Sequence, residues 1–254
     1  MAEEALLHSR LFEQHNIIGV FTQRPGGVSP PPFESFNFGT GLGDSECNIE
    51  KNLKILEGIG GLPNLPHQVK QVHGTNSRLF VGPGRIHPDE ADILISDQLG
   101  TTLGVRTADC LPILLADSEA GIIAAVHAGW RGTAASVVCR GVEEMLKLGA
   151  RVEKMIASLG PCIGPCCFKV GEETADQLSN CCHGAEASIR RDVEFHANIR
   201  GINRLQLLQC GLNESHIESF DTCTACHPTH YYSYRRDGDK SGRHLGVVAL
   251  PANT

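Results

Sequence analysis

Residues 101–132 read TTLGVRTADCLPILLADSEAGIIAAVHAGWRG and hold three apolar runs of strand length. The runs cover residues 101–107, 111–116 and 121–127, and their β-branched and aliphatic side chains predict β-strands. Polar, reactive residues stand at the ends of these runs. Because a strand fixes the backbone while its end opens to solvent, we expect functional side chains there.

The rest of the chain combines further strand patterns with helical ones. Six more strands are predicted at residues 17–22, 69–72, 78–81, 91–95, 154–159 and 244–250. Helical spacing of apolar residues predicts helices over residues 48–59, 133–148, 172–178 and 199–210. A block of strands with helices between the later strands favours an α+β fold with mixed β-sheets. No repeat or charged linker divides the chain, so we expect residues 1–254 to form a single catalytic domain.

Composition and charge restrict the partners. The chain has 254 residues, and a hydrophobic fraction of 41% is ordinary for a globular protein with a core. Its 22 Lys and Arg against 29 Asp and Glu give a net charge of −7, and no basic run appears, so we expect no nucleic-acid or membrane partner. The apolar stretches are far shorter than the ~20 residues of a membrane-spanning helix. Glu3 and Glu4 stand where a signal peptide carries positive charge, which predicts a cytoplasmic protein.

Eleven cysteines require a separate explanation. Their odd number excludes complete pairing within one chain, and in a reducing cytosol metal ligation, catalysis or burial explains cysteines better than disulfides. Five of them lie in two loop segments: Cys162, Cys166, Cys167, Cys223 and Cys226. The Cys223-x-x-Cys226 pair is typical of a structural zinc site or a redox pair. Because it has no matching second pair at standard spacing, we favour simple packing of loops.

Reactive side chains next to predicted strands occur in QVHGT at residues 71–75, TADCLP at residues 107–112 and VHAGWRG at residues 126–132. Their His73, Cys110 and His127 form a ligand set that suits tetrahedral Zn²⁺, since each offers a neutral nitrogen or a thiolate. Three protein ligands leave the fourth position to water, as in catalytic sites. From the residue types and their spacing alone, two hydrogen-bonded histidines and a small buried cysteine are the favoured interpretation.

The same segments, with the second extended to TADCLPILLAD, strongly resemble a known enzyme family. It has long been described as multicopper polyphenol oxidases or laccases, and its members are now described as purine nucleoside phosphorylases with adenosine deaminase side activity. The resemblance spans essentially the whole chain, with RPGGVS (24–29), SFNFG (35–39), SLGPCIG (158–164), VG (170–171), CTAC (223–226), YSYRRD (232–237) and SGR (241–243). It implies a four-layer α/β/β/α arrangement and zinc ligands at His73, Cys110 and His127.

The resemblance also implies adenosine, inosine, guanosine or methylthioadenosine, together with inorganic phosphate, as small-molecule partners. Phosphate attacks an anomeric carbon that develops positive charge, so an anion has to be held there, and arginines do this through bidentate contacts. The candidates are Arg24 and Arg131, followed by Arg235 and Arg236, which equally fit structural ion pairs. Arg131 opens a predicted helix, whose N-terminal amides favour the same anion.

Three further residues are candidates for the same site. In deamination, metal-activated water attacks the purine carbon that bears the amino group. Asp109 is the neighbouring carboxylate for proton transfer or for orienting a ligand histidine. Asn37 and Gln71 are expected to contact the nucleoside, and both equally fit caps of loops.

Three other functions stay open. A copper-dependent polyphenol oxidase fits the older description, and copper competes well for such ligands, but multicopper oxidases use paired His-x-His motifs, which this chain lacks. Cys110 and His127 also form a nucleophile–base pair for amide hydrolysis, such as peptidoglycan precursor editing, in a fold family related to Cys–His toxins. The last alternative is a metal-binding regulatory module, which would not need Arg24, Arg131 and Asp109 beside one pocket.

Overall fold

The computed structural model describes residues 5–251, which form fifteen β-strands and seven α-helices. In chain order the strands are Leu6–His8 (β1), Ile18–Thr22 (β2), Gln68–Lys70 (β3), Ser77–Leu79 (β4), Ile86–Glu90 (β5), Ile93–Ser96 (β6), Thr102–Thr107 (β7), Leu111–Asp117 (β8), Ile122–Ala128 (β9), Ile156–Leu159 (β10), Lys169–Val170 (β11), Ile189–Arg191 (β12), Phe195–Ala197 (β13), Ile217–Ser219 (β14) and His244–Ala249 (β15). The helices are Arg10–Glu13 (α1), Glu46–Ile59 (α2), Trp130–Ala134 (α3), Val137–Lys147 (α4), Glu172–Ser179 (α5), Ile199–Gln209 (α6) and Tyr234–Asp237 (α7).

Every predicted strand is present in the structure. The three strands of the opening stretch, β7, β8 and β9, begin and end within one residue of their predicted bounds. The strands that were not predicted are β1, β5, β11, β12, β13 and β14. Most of these are too short for an apolar pattern, and β5 contains Pro88 and two acidic residues, so pairing with distant segments determines them.

The predicted helix over residues 133–148 is wrong, because two helices, α3 and α4, occupy this region. Between them Ser136 has a φ of 56°, in the left-handed region that a right-handed helix excludes. The Gln206 amide on α6 donates to the Thr133 carbonyl at 2.9 Å and to the Ser136 hydroxyl at 3.3 Å. A tertiary contact therefore stabilises the break, and apolar periodicity does not encode it.

Residues 5–251 form four sheets, with strand orders β1-β2-β15-β7, β14-β10-β8-β9-β6-β4, β11-β13-β12 and β3-β5. The four-stranded sheet is antiparallel throughout. The six-stranded sheet is mixed, because β14 and β4 at its two edges pair in parallel with their neighbours. The predicted α+β fold with mixed sheets is thereby confirmed.

Alternate side chains of the central strands enter different hydrophobic clusters, as the period of a strand requires. In β8, Ile113 packs in one cluster with Val138 of α4, whereas Leu114 packs in another with Leu103 of β7. In β15, Leu245 belongs to a third cluster, which also holds apolar residues of α2. The core thus has three parts: one between α4 and the six-stranded sheet, one between the two larger sheets, and one between the four-stranded sheet and α2. The four-layer arrangement itself stays a prediction.

Across residues 5–251, every helix is too short or too polar to cross a membrane. Glu3 and Glu4, on which the cytoplasmic prediction rests, lie outside the described residues. The cytoplasmic location and the single domain over residues 1–254 therefore stay predictions.

Candidate active site

The three predicted metal ligands come together in the structure. The ligand atoms of His73, Cys110 and His127 lie within 4.8 Å of one another, and Cys110 Sγ is 3.7 Å from His73 Nε2. Cys110 directly precedes β8, and His127 of β9 lies opposite Pro112 of β8, so antiparallel pairing brings both residues to one end of the sheet. His127 is buried, whereas His73, in the loop after β3, is exposed. The cluster is therefore open to solvent on one side.

A buried carboxylate that the sequence did not single out holds this cluster in place. Asp92 Oδ1 lies 2.7 Å from His127 Nδ1, which leaves Nε2 as the free ring nitrogen. Asp92 also accepts hydrogen bonds from the backbone N–H groups of Val72, His73 and Gly74, at 3.2, 3.0 and 2.7 Å. Carboxylates of this kind fix the tautomer and orientation of ligand histidines. The sequence feature that could have identified it is an acidic residue inside the predicted apolar strand 91–95.

Gly129 has no side chain, and the ligand cluster occupies the space that a side chain there would fill. A Cβ atom at this position would lie 2.6 Å from His73 Cδ2 and 3.1 Å from Cys110 Sγ. The φ of Gly129 is −76°, which any residue adopts, so only the contact with the two side chains excludes a larger residue.

The electrostatics of the cluster favour a thiolate. Burial alone would raise the pKa of the Cys110 thiol, but the charge and hydrogen bond of His127 outweigh it and lower the pKa to about 6. Burial likewise disfavours charge on His127, yet the Cys110 thiolate and the Asp92 carboxylate raise its pKa to about 9. Cys110 is half-buried and His127 is buried, and their mutual attraction favours the thiolate, which is the form that binds metals or attacks as a nucleophile.

Two cavities meet at the cluster, with volumes of about 690 Å³ and about 250 Å³. His73, Cys110, Ala108 and Tyr234 line both of them. The larger cavity is also lined by polar residues that include Thr40, Lys70, Gln71, Arg106 and Arg243. The smaller cavity is also lined by Asp109, Trp130, Arg131, Phe168 and Arg235.

Arg106 and Arg243 bring positive charge to the larger cavity, and the sequence analysis missed both. The Arg106 guanidinium donates to the Val69 carbonyl at 2.7 Å and to the Thr40 hydroxyl at 3.0 Å, and Arg243 donates to the Ser241 carbonyl at 2.7 Å. Burial lowers the pKa of both arginines, and the charge of Arg243 lowers that of Arg106 further. Neither forms an ion pair with a carboxylate of residues 5–251. The sequence feature that could have identified Arg106 is a charged residue inside the predicted strand 101–107.

Two predicted substrate-binding residues lie outside the lining of both cavities. Arg24 donates to the backbone carbonyls of Glu34 and Pro228 at 2.7 and 3.1 Å. Asn37 is fully buried, and its Oδ1 accepts a hydrogen bond from the Arg243 backbone N–H at 2.8 Å. The contact of Asn37 matches its loop-capping alternative, and substrate contacts by Arg24 and Asn37 stay predictions.

Gln71 and Arg235 do line the cavities, one in each. Both ends of the Gln71 amide pair at 2.7 Å with the backbone of Arg106, which ties the loop before His73 to β7. Arg235 donates to the carbonyls of Cys167 and Lys169 at 3.1 and 2.9 Å. Their contacts with a substrate stay predictions.

Both oxygens of the Asp109 carboxylate accept hydrogen bonds. It accepts hydrogen bonds from the Thr224 hydroxyl at 2.6 Å, the Ser233 hydroxyl at 2.9 Å and the Arg235 backbone N–H at 2.6 Å. The residue has a φ of 84°, in the left-handed region, immediately before Cys110. These contacts hold the turn that carries Cys110, whereas a role of Asp109 in proton transfer stays a prediction.

The last two predicted arginines differ in their surroundings. Arg131 is exposed, lines the smaller cavity, and its guanidinium carbon lies 4.4 Å from the centroid of the Trp130 ring. It lies in the five-residue helix α3 and not at the start of the long helix that was predicted. Arg236 pairs with Asp237 at 2.7 Å and donates to the Tyr231 carbonyl at 2.8 Å, which matches the structural alternative for this residue.

Comparisons with known proteins give a consistent result. A family model described as multi-copper polyphenol oxidoreductase laccase matches residues 18–251. The chain is 36% identical over 231 residues to the purine nucleoside phosphorylase of Deinococcus radiodurans, covering 91% of this chain and 88% of that protein. It is 37% identical over 229 residues to the purine nucleoside phosphorylase YfiH of Escherichia coli, covering 89% and 91%. The crystal structure of the hypothetical protein YfiH from Bacillus licheniformis superimposes with a TM-score of 0.90 at 25% identity, covering 97% of both chains.

Proposed function

We propose, since the chain belongs to the family described as multi-copper polyphenol oxidoreductase laccase, that it is a zinc-dependent purine nucleoside phosphorylase with adenosine deaminase side activity. The predicted resemblance to this family is confirmed by the match over residues 18–251. One observation carries the proposal. The group of His73, Cys110 and His127 opens onto a cavity of about 690 Å³ that also holds Arg106 and Arg243. This volume lies within the range of about 300–1,000 Å³ that is typical of small-molecule sites.

The donor set fits zinc better than a multicopper cluster. One thiolate and two imidazoles suit tetrahedral Zn²⁺ and leave one position open, although copper can occupy the same ligands. Within residues 5–251 the second group of converging ligands consists of cysteines alone, so the many histidines that a copper cluster needs are not assembled there. When bound, zinc would polarise a substrate oxygen and lower the pKa of a water.

The arginines of the larger cavity support phosphate binding. Arg106 and Arg243 already have their geometry fixed by carbonyl and hydroxyl partners, and they lack described carboxylate partners, so an anion between them gains charge-assisted hydrogen bonds. In phosphorolysis this anion attacks the anomeric carbon while the purine leaves. Tyr234, which is 51% exposed and lines both cavities, offers a ring for the purine to stack on. The predicted Arg131 and Arg235 provide an alternative anion site in the smaller cavity.

Asp109 acts in this proposal as a positioning residue. Its carboxylate accepts hydrogen bonds from Thr224, Ser233 and the Arg235 backbone, and these three contacts fix its position. It is fixed directly beside Cys110 and joins the Cys110 turn to α7. We therefore assign it to orienting the site during phosphorolysis and deamination.

The test is product identification from adenosine with and without phosphate, using protein of measured metal content. Adenine together with ribose 1-phosphate in the presence of phosphate is the expected result, and inosine without phosphate would be the side activity. Cys110→Ala should lose metal and phosphorolysis together, because it removes the only sulfur of the ligand group. Cys47→Ala, at an exposed thiol outside the ligand group, is the matched control. Full activity in a metal-free Cys110→Ala protein would refute the proposal.

A second candidate function has one observation in its favour. The pKa of Cys110 is lowered to about 6 beside His127, and Asp92 orients the imidazole, so the same side chains form a Cys–His–Asp arrangement for amide hydrolysis. Alkylation separates the two functions. If iodoacetamide modifies Cys110 in fully metal-loaded protein without releasing metal, the thiol is free and the hydrolase is favoured. If bound zinc protects Cys110, the phosphorylase proposal stands.

A further inference from the structure

A second group of potential ligands lies apart from the proposed active site. Cys166, Cys167, Cys223 and Cys226 have all four sulfur atoms within 4.8 Å of one another. Cys226 Sγ is 3.5 Å from Cys166 Sγ and 3.3 Å from Cys167 Sγ. The sequence favoured simple loop packing because the Cys-x-x-Cys pair lacked a partner pair. The structure supplies that partner as the adjacent pair Cys166 and Cys167.

We propose that these four cysteines bind a structural zinc ion. Four thiolates are a complete tetrahedral ligand set, and this closed set leaves no position for a substrate. Zinc–sulfur bonds of about 2.3 Å place the sulfur atoms of a tetrahedron about 3.8 Å apart. The two sulfur distances of 3.5 and 3.3 Å lie close to this value, so binding requires only small side-chain movements.

The local backbone suits a shared metal. Residues 165–167 and 224–226 both lie in turns, and Cys162 and Cys223 form a β-bridge that holds the two loops side by side. Because the turn at Cys166 and Cys167 directs both sulfur atoms towards Cys226, the usual difficulty of adjacent cysteines in sharing one ion is removed. Gly164 donates its backbone N–H to Cys223 Sγ at 3.2 Å, a contact that stabilises a thiolate.

Loop packing and a disulfide explain the cluster less well. Cys166 and Cys226 are exposed, so they do not fill a core as buried cysteines do. A disulfide requires sulfur atoms about 2.05 Å apart, whereas Cys226 Sγ lies 3.5 and 3.3 Å from the sulfur atoms of Cys166 and Cys167. A Cβ atom at Gly164 would lie 3.3 Å from Cys166 Sγ and 3.1 Å from Cys223 Cβ, so a glycine leaves room for this cluster as Gly129 does for the first.

The position of the cluster indicates what the ion would stabilise. The two loops also carry contacts to the wall of the smaller cavity: Arg235 donates to the Cys167 carbonyl at 3.1 Å, and the Thr224 hydroxyl donates to Asp109 at 2.6 Å. Zinc bound to Cys166, Cys167, Cys223 and Cys226 would fix both loops and, through them, the turn before Cys110. The ion therefore has a structural role, separate from the site at His73.

Metal analysis of single variants tests the proposal. Wild-type protein purified with zinc under reducing conditions should hold about two zinc ions per chain, one for each complete ligand group. Cys226→Ser and Cys110→Ser should each hold about one, whereas Cys47→Ser, at an exposed thiol outside both groups, should match the wild type. If Cys226→Ser retains as much zinc as the wild type, the proposal is overturned.

Cobalt substitution covers the case in which Cys226→Ser fails to fold. Cys110→Ser keeps the four-cysteine group intact, so its cobalt form should show intense thiolate-to-metal absorption with the visible bands of a tetrahedral four-sulfur site. Absence of these bands in folded Cys110→Ser, or a mass lower by two hydrogens that reductant restores, would overturn the proposal in favour of loop packing or a disulfide. Either outcome is independent of phosphorolysis, which is measured separately from adenosine and phosphate.

Discussion

The Nδ1 atom of His127 lies 2.7 Å from the Oδ1 atom of Asp92, and this contact joins one predicted metal ligand to the loop that carries another. The same carboxylate accepts the backbone N–H groups of Val72, His73 and Gly74. One buried side chain therefore orients the His127 ring and fixes the backbone of His73. Because outer contacts of this kind set the orientation and basicity of ligand histidines, the site depends on a residue that is not itself a ligand.

Asp92→Asn is expected to weaken zinc binding about 10- to 100-fold. The amide keeps one oxygen as an acceptor, but its NH₂ group faces N–H donors that are left unpaired in a buried position. Titration of metal-free protein with zinc measures the affinity. Asp97→Asn, at an exposed carboxylate just after β6, should bind zinc like the wild type. Wild-type affinity in Asp92→Asn would mean that the contact serves folding alone.

Gly129→Ala should reduce zinc binding and activity while leaving most of the stability intact. The added methyl group would lie 2.6 Å from the His73 ring, so the ring has to move away from Cys110. Gly171→Ala is a closely matched control, because Gly171 also precedes a helix, with a φ of −75°, and a Cβ there meets nothing within 4 Å. Zinc content and melting temperature are the two measurements. A large drop in melting temperature with unchanged zinc content would contradict this explanation.

The local pattern of the chain was sufficient to predict its central strands. Continuous apolar composition and strand length identified β7, β8 and β9, because each is bounded by turn residues and buried on both faces. The break at Ser136 could not be predicted in this way, since it depends on a hydrogen bond from Gln206. Short strands such as β12 and β13 could not be predicted for the same reason, because they depend on their pairing partners and not on their own composition.

The site was predictable only in part for a similar reason. His73, Cys110 and His127 were recognised through motifs, and the fold brings them together. Asp92 and Arg106 were not predicted as site residues, because the role of a charged residue within a predicted strand depends on its neighbours in the fold. The adjacent strands supply these neighbours: Asp92 meets His127 from β9, and Arg106 faces a cavity shared with Arg243.

Arg243→Gln should raise KM for phosphate about 10- to 100-fold with a smaller effect on KM for the nucleoside, since a charge-assisted hydrogen bond contributes about 1.5–3 kcal/mol. Arg131→Gln tests the alternative site in the smaller cavity, and Arg10→Gln, at an exposed arginine that lines neither cavity, is the control. Steady-state kinetics at varied phosphate concentration separates the two parameters. If Arg131→Gln raises KM for phosphate and Arg243→Gln does not, the anion belongs in the smaller cavity.

The stability of the protein should fall with decreasing pH because of His244. Burial, reinforced by the charges of Arg24, Arg236 and Arg243, lowers the pKa of its imidazole to about 3, and its Nε2 accepts the Tyr232 N–H at 2.7 Å. In the unfolded chain the same group has a pKa of about 6.5, so only the unfolded state gains a proton between these two values. The free energy of unfolding should therefore decrease by up to about 1.4 kcal/mol for each pH unit below 6.5. His244→Gln keeps an acceptor for Tyr232 and removes the titration, so the free energy of unfolding, measured by chemical denaturation at several pH values, should depend less on pH than in the wild type. His15→Gln, at an exposed histidine, is the control and should match the wild type. Equal slopes in His244→Gln and the wild type would assign the pH dependence to other groups.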